Sequence, residues 1–105
     1  MSRRVVNNPE LQRFEMRDGE QLAAFLQYRL RGTVVDLVHT ETLPGMEGSG
    51  YGSELVRGTL DEARSRGWQV LPLCPFVRSY IGEHPEFLDL IPTEDRARFG
   101  LDVRN

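Results

Sequence analysis

With 105 residues, and 13 Lys and Arg against 16 Asp and Glu for a net charge of −3, the chain suits one compact domain and has no excess of positive charge for nucleic acid or an anionic membrane. A hydrophobic share of 39% and a charged share of 28% fit an ordinary globular domain, and no apolar run is long enough to span a bilayer. The single cysteine, Cys74, excludes an intrachain disulfide and a zinc site built on several cysteines, so no metal is expected and a cytoplasmic setting is the default.

Residues 1–11 are polar, lack the apolar stretch of a secretory signal, and read as a frayed arm. Residues 13–17 alternate as a half-buried strand does, and Asp18-Gly19 marks a tight turn. Residues 22–30 read as the returning strand, with Phe25 and Leu26 breaking its alternation. Arg31-Gly32 makes a second turn into the β-branched run 33–40, so three strands form a meander. The period then changes. Leu55, Val56, Thr59, Leu60 and Ala63 lie on one face of a helix that Gly67 should stop. Residues 68–73 read as a short strand, and Pro72 within it argues for an edge or distorted position. Pro75 suits the first position of a second helix with Phe76, Val77, Tyr80 and Ile81 on its buried face. His84-Pro85 ends that helix, and Pro85 can open a short one through Ile91. A charged tail, 92–105, has room for one turn of helix at 93–99. The predicted order β-β-β-α-β-α describes an α+β sheet domain over 1–105.

The run Met46-Glu47-Gly48-Ser49-Gly50-Tyr51-Gly52-Ser53 joins the third strand to the first helix. Glycine permits positive φ and close approach to a ligand, and a helix start offers unpaired N–H groups to a phosphate. Gly45 and Gly50 have P-loop spacing, but Tyr51 and Gly52 stand where Lys and Ser belong, which argues against nucleotide hydrolysis. Gly48 and Gly50 begin a dinucleotide fingerprint, but position 53 is Ser and a meander precedes it. An acyl-CoA loop with small residues at Gly50 and Gly52 remains, beside an ordinary glycine-rich turn.

The flanks bear on that choice. His39-Thr40-Glu41 precedes the loop, and Cys74-Pro75-Phe76-Val77, Tyr80, Ile81 and His84-Pro85 follow it. With Tyr28-Arg29, this ordered set resembles the small single-domain GNAT-like N-acetyltransferases over roughly residues 14–91. The resemblance implies a three-layer GNAT-like fold, a mixed, mostly antiparallel sheet flanked by helices. It also implies acetyl-CoA as donor and an amine acceptor, either a peptide lysine or a small amine. Glu47 stands where Arg is common in that group, Ser49 where Lys or Arg is common, and Tyr51 where Ile or Val is usual. The expected hold on CoA phosphates therefore shifts to backbone N–H groups and the helix dipole.

On this reading CoA meets Glu41, Thr42 and Leu43 on the strand, with the pantetheine arm lying along them as a pseudo-strand. It meets Glu47, Gly48, Ser49, Gly50, Tyr51, Gly52 and Ser53 in the loop and helix start. Backbone N–H groups at Thr42 and Leu43 are candidate oxyanion donors. Cys74, just before a Pro-started helix, is either a packed thiol or the nucleophile the resemblance implies. His39 is either a structural histidine or a base, with Glu41 as a second candidate base. Tyr80 fits the core and also matches the tyrosine that reprotonates the departing CoA thiolate in related enzymes. The reaction read this way is acetyl transfer to an amine, through acetyl-Cys74 or directly. The alternatives are a non-catalytic acyl-CoA-binding module and a protein-interaction domain that kept only the fold.

Overall fold

The computed structural model describes residues 2–101. Strands β1 (Arg3–Asn8), β2 (Arg13–Asp18), β3 (Gln21–Arg31) and β4 (Val34–Thr42) lead into helix α1 (Tyr51–Arg66). Strand β5 (Gln69–Pro72), helix α2 (Pro75–Glu83) and 3-10 turns at Pro85–Leu90, Thr93–Asp95 and Ala97–Phe99 complete it. The five strands form one sheet in chain order, antiparallel except for the parallel pair β4–β5. Helices flank this mixed sheet, which is the α+β class the sequence predicts.

The polar segment expected to be a frayed arm is instead an edge strand, paired from Arg3↔Asp18 to Asn8↔Arg13. Its alternate residues all meet partners on the α1 side. Arg3 reaches Glu54 and the Ser49 carbonyl, Val5 packs on Gly58, and Asn7 Oδ1 accepts the Tyr28 hydroxyl at 2.7 Å. A strand with two adjacent apolar residues in six, Val5 and Val6, shows no apolar alternation, yet its polar side chains are satisfied, so it stays on the sheet. Of the tail, residues 93–95 and 97–99 form single 3-10 turns and Leu101 is buried, while 102–105 lie outside the described residues.

Two bulges set which side chains face the helices. Met16 pairs with Ala24 and Arg17 with Leu22, so Ala23 is the extra residue, which explains the broken alternation in this strand. Gln27 pairs with His39 and Tyr28 with Leu37, so Val38 is the extra residue on β4. On the α1 side, Phe14, Met16, Leu26 and Leu37 pack against Leu55, Val56 and Leu60, with Val77 and Ile81 of α2 beside them. Gly67 ends α1 in the left-handed conformation (φ 72°); its N–H and that of Trp68 reach the Arg64 and Ala63 carbonyls.

The opposite sheet face buries two carboxylates under arginines. Glu15 accepts Arg13 Nε (2.8 Å) and Asn8 Nδ2 (3.0 Å) at one oxygen, and Arg17 Nη2 (3.0 Å) and Nε (3.2 Å) at the other. Asp36 is held by Arg31 at 2.8 and 3.2 Å. Burial pushes the Glu15 carboxyl up, but the hydrogen bonds from Arg13, Asn8 and Arg17 outweigh it and hold its pKa below the ordinary value.

Two predictions follow from this packing. A Cβ at Gly58 would lie 2.6 Å from Val5 Cγ2 and 2.9 Å from Val5 Cβ. Gly58→Ala gains about 1 kcal/mol of helix propensity and loses about 1–3 kcal/mol to overpacking, so urea unfolding should find it less stable. Its cost and that of Val5→Ala should fall short of adding in the double variant. For Glu15→Gln, about 1–3 kcal/mol is lost at pH 7. Because the folded pKa is depressed, this contribution is complete above the unfolded value, about 4.3, and disappears as pH falls through the folded one. The stability gap between wild type and Glu15→Gln should therefore narrow between pH 6 and pH 3, whereas a constant gap would exclude a charge-linked role.

Candidate active site

The site forms where β4 and β5 part. Their pairing runs from Val34↔Gln69 to Leu37↔Pro72 and stops. The Leu73 N–H turns back to the Leu71 carbonyl, and the Cys74 N–H donates to the Leu37 carbonyl at 2.9 Å. Strand β4 continues to Thr42, so 38–42 has no strand partner on that side among the described residues. Strand alternation then divides its side chains. Thr40 Oγ1 lies 3.5 Å from the buried Cys74 Sγ, in a part-buried contact at the α2 N-cap. His39 and Glu41 point the other way, are about half exposed, and meet each other at 3.1 Å (Nε2 to Oε1). The structure thus brings His39 to Glu41, and Cys74 to Thr40.

The glycine loop leaves β4 through a turn in which the Met46 N–H donates to the Leu43 carbonyl. Glu47 bends back so that its carboxylate accepts the Gly45 N–H at 3.0 Å, and its charge is spent inside the loop. Gly48 and Gly50 take φ of 85° and 78°, and Gly50 is the left-handed N-cap of α1. The N–H groups of Gly48, Ser49, Gly50, Tyr51, Gly52 and Ser53 donate to no protein acceptor among the described residues. Gly52 is crowded: a Cβ there would stand 3.2 Å from the Phe76 ring and 3.7 Å from Thr42 Oγ1. Free amides, a close-packed glycine and an open strand edge together fit the pyrophosphate and pantetheine of CoA.

Tyr51 does not face this cradle. Its side chain is buried, its hydroxyl donates to Asp18 Oδ2 at 2.5 Å, and Arg3 lies over its ring at 4.2 Å. The bond to the carboxylate, with burial, raises the tyrosine pKa above its usual value. Tyr51 therefore ties the loop to the β2–β3 turn, and Arg3 ties it to β1 by donating to the Ser49 carbonyl at 2.9 Å. Tyr80 is likewise turned inward. Its hydroxyl accepts Arg57 Nη1 at 3.2 Å, and its ring stacks on His84 with centroids 4.1 Å apart.

Of the two candidate oxyanion donors, Thr42 and Leu43, the structure removes the second. The Leu43 N–H donates to the Ala23 carbonyl at 2.9 Å, so it is committed to the sheet and not free for an oxyanion. Sequence reasoning also missed Thr40, Phe76, Arg3 and Asp18 as parts of the site. Alternation through the His39-Thr40-Glu41 triplet carried the signal for Thr40, since its neighbours cannot share its face. Phe76 is 44% exposed where both helix starts converge, which its place on a helix expected to be buried concealed.

Residues 13–90 match the family model described as GCN5-related N-acetyl-transferase, and the family uses acetyl-CoA with an acceptor substrate. The solution structure of a GCN5-like protein from Staphylococcus aureus superposes with a TM-score of 0.64 at 18% identity, over 85% of this chain and 87% of that one. At that identity the likeness concerns the fold. With the family match spanning most of the sequence, the chain belongs to the GCN5-related N-acetyltransferase family and is an N-acetyltransferase.

Proposed function

We propose that this chain moves an acetyl group from acetyl-CoA to an amine by way of Cys74, with His39 and Glu41 receiving the amine proton. The observation that carries the reading is the division of side chains along the open edge of β4. Thr40 and Cys74 lie on one side, and His39 with Glu41 on the other. Acetyl-CoA, when bound, supplies the acetyl group as an activated thioester. The amides from Gly48 to Ser53 would hold its phosphates, and the 40–42 edge its pantetheine arm.

Cys74 Sγ bonds the acetyl carbon as the thioester bond to the CoA sulfur breaks, the thiol proton of Cys74 leaving with CoA as its free thiol, and Thr40 Oγ1 fixes the sulfur by its 3.5 Å contact. The amine enters from the opposite face through the gap between β4 and β5, and the imidazole–carboxylate pair takes its proton. As the new C–N bond forms, the C–S bond to Cys74 breaks, and the sulfur leaves as a thiolate that takes a proton from solvent. His39 serves the acceptor in this scheme and not the cysteine, because it points away from it. The Arg57 and His84 contacts of Tyr80 support a packing role for it.

Intact-mass measurement after addition of acetyl-CoA tests the covalent step. Wild type should carry one acetyl group per chain and Cys74→Ala none. Thr40→Val should acquire it about tenfold more slowly, the effect of one lost hydrogen bond, and Thr40→Ser should restore the rate. Turnover without any adduct, retained in Cys74→Ala, would replace this scheme with direct transfer. Binding of acetyl-CoA without adduct or turnover would leave only a binding module.

A further inference from the structure

We infer that the cleft beside His39, on the sheet face opposite α1, is the acceptor site, and that it takes an amine whose ligand also carries a carboxylate. The inference rests on the transferase reading above and names its substrate class. The cleft is shallow, of about 210 Å³, and is lined by Leu11, Gln12, Gln27, Tyr28, Arg29 and Val38. Gln27 is the cross-strand partner of His39, and Val38 is the bulge residue just before it. The cleft therefore ends beside His39, its lining residues Gln27 and Val38 being the cross-strand and chain neighbours of that histidine. Its size falls below the roughly 300–1,000 Å³ of pockets that enclose a whole small ligand, so it holds part of an acceptor and leaves the amine over His39.

Gln12 builds the wall at a conformational cost. It is a non-glycine residue at φ 53°, and its carbonyl accepts the Tyr28 N–H at 2.9 Å, holding the β1–β2 turn against β3. Arg29 supplies the charge. Arg31 occupies both oxygens of Asp36, at 2.8 and 3.2 Å, whereas Arg29 Nε stands 3.7 Å away, beyond hydrogen-bond length. The Arg29 side chain is 61% exposed, and two arginines share one carboxylate, so the cleft end keeps a net positive charge with free donors. The His39 end offers a carboxylate and an imidazole to an ammonium group.

The two ends lie two residues apart on β3, since Arg29 pairs with Asp36 and Gln27 with His39. That is roughly 7 Å along the strand. An ammonium and a carboxylate at this separation describe a lysine side chain beside an acidic residue in a peptide, or the ε-amine and α-carboxylate of lysine itself. A polyamine lacks the anion, and an α-amine sits too close to its own carboxylate. The cleft at β1–α1 also holds charges of both signs, but Arg3 there is bound to Glu54, Arg4 to the Gly19 carbonyl and Arg57 to Tyr80, and no imidazole lines it among the described residues.

The test is acetyl transfer, followed by mass spectrometry, to Gly-Lys-Glu-Gly and Gly-Lys-Gln-Gly peptides with blocked ends, and to lysine and lysinamide. The carboxylate-bearing member should be favoured by about fivefold in kcat/KM, mostly through KM, the yield of one exposed ion pair. Arg29→Gln should abolish that preference and Arg29→Glu reverse it, while Arg66→Gln, at the far end of α1, should keep it. A preference confined to the peptide pair identifies a protein acceptor, and one confined to free lysine a small-molecule acceptor. Equal rates within each pair, or a preference that survives Arg29→Gln, would overturn the inference and leave the transferase reading standing. Transfer to no amine at all, with the Cys74 adduct also absent, would overturn both.

Discussion

The parallel pairing of β4 with β5 stops at Leu37 and Pro72, and the candidate site depends on that stop. Its cause lies in the run Pro72-Leu73-Cys74-Pro75. Proline has no N–H to continue a ladder, so the strand can gain nothing beyond Pro72. The Cys74 N–H takes the Leu37 carbonyl, the last acceptor in line, and Pro75 has the φ a helix start needs. Four residues of β5 therefore pair with β4, which runs on with that edge unpaired while β3 holds its other edge. A free strand edge within a fold is normally a liability. Here it opens between the N-termini of α1 and α2, with the Cys74 N-cap directly beside it.

Once β4 is open, pleating does the rest. Successive side chains leave a strand on opposite faces, so His39-Thr40-Glu41 cannot all serve one reacting atom. The bulge at Val38 sets which residues go where: with one fewer residue before it, His39 would face the helices and Thr40 the solvent. The glycine loop obeys a similar economy. Its odd residues are spent on holding its shape, with Glu47 on the Gly45 N–H and Tyr51 on Asp18. The amides that face outward carry no side-chain charge. The loop thus keeps outward N–H groups at a helix start, a chemistry that can hold an anion without the cations expected there.

What was legible in the sequence is what local chemistry decides. Gly67 as a helix stop, Pro75 as a helix start, the Asp18-Gly19 turn and the apolar stripe of α1 each depend on residues a few positions apart. β1 was invisible because its fitness depends on partners some fifty residues away: Val5 on Gly58, and Arg3 on Ser49 and Glu54. Tyr51 read as a ligand-facing residue because nothing near it in sequence announces Asp18. Leu43 read as a free donor because its acceptor, the Ala23 carbonyl, exists only through the register of a bulged strand pair. The triplet containing His39 was legible as a site, but the division of labour within it required the position of the bulge.

The face opposite α1 offers a physical criterion for separating structural arginines from available ones. Glu15 and Asp36 are both buried carboxylates flanked by two arginines on the same sheet face. At Glu15, Arg13, Arg17 and Asn8 fill both oxygens, and Arg13 also covers the Phe25 ring at 4.7 Å; both guanidiniums are largely buried and committed. Such an arrangement is closed, because any anion approaching it competes with a partner already desolvated and hydrogen-bonded. At Asp36 the fork of Arg31 uses both oxygens by itself. Arg29 is then held by charge alone, at a distance where no hydrogen bond forms, and moving it toward a ligand breaks none. The same local motif is thus a girder at one end of the face and leaves an uncommitted guanidinium at the other. The uncommitted end is the one that adjoins His39.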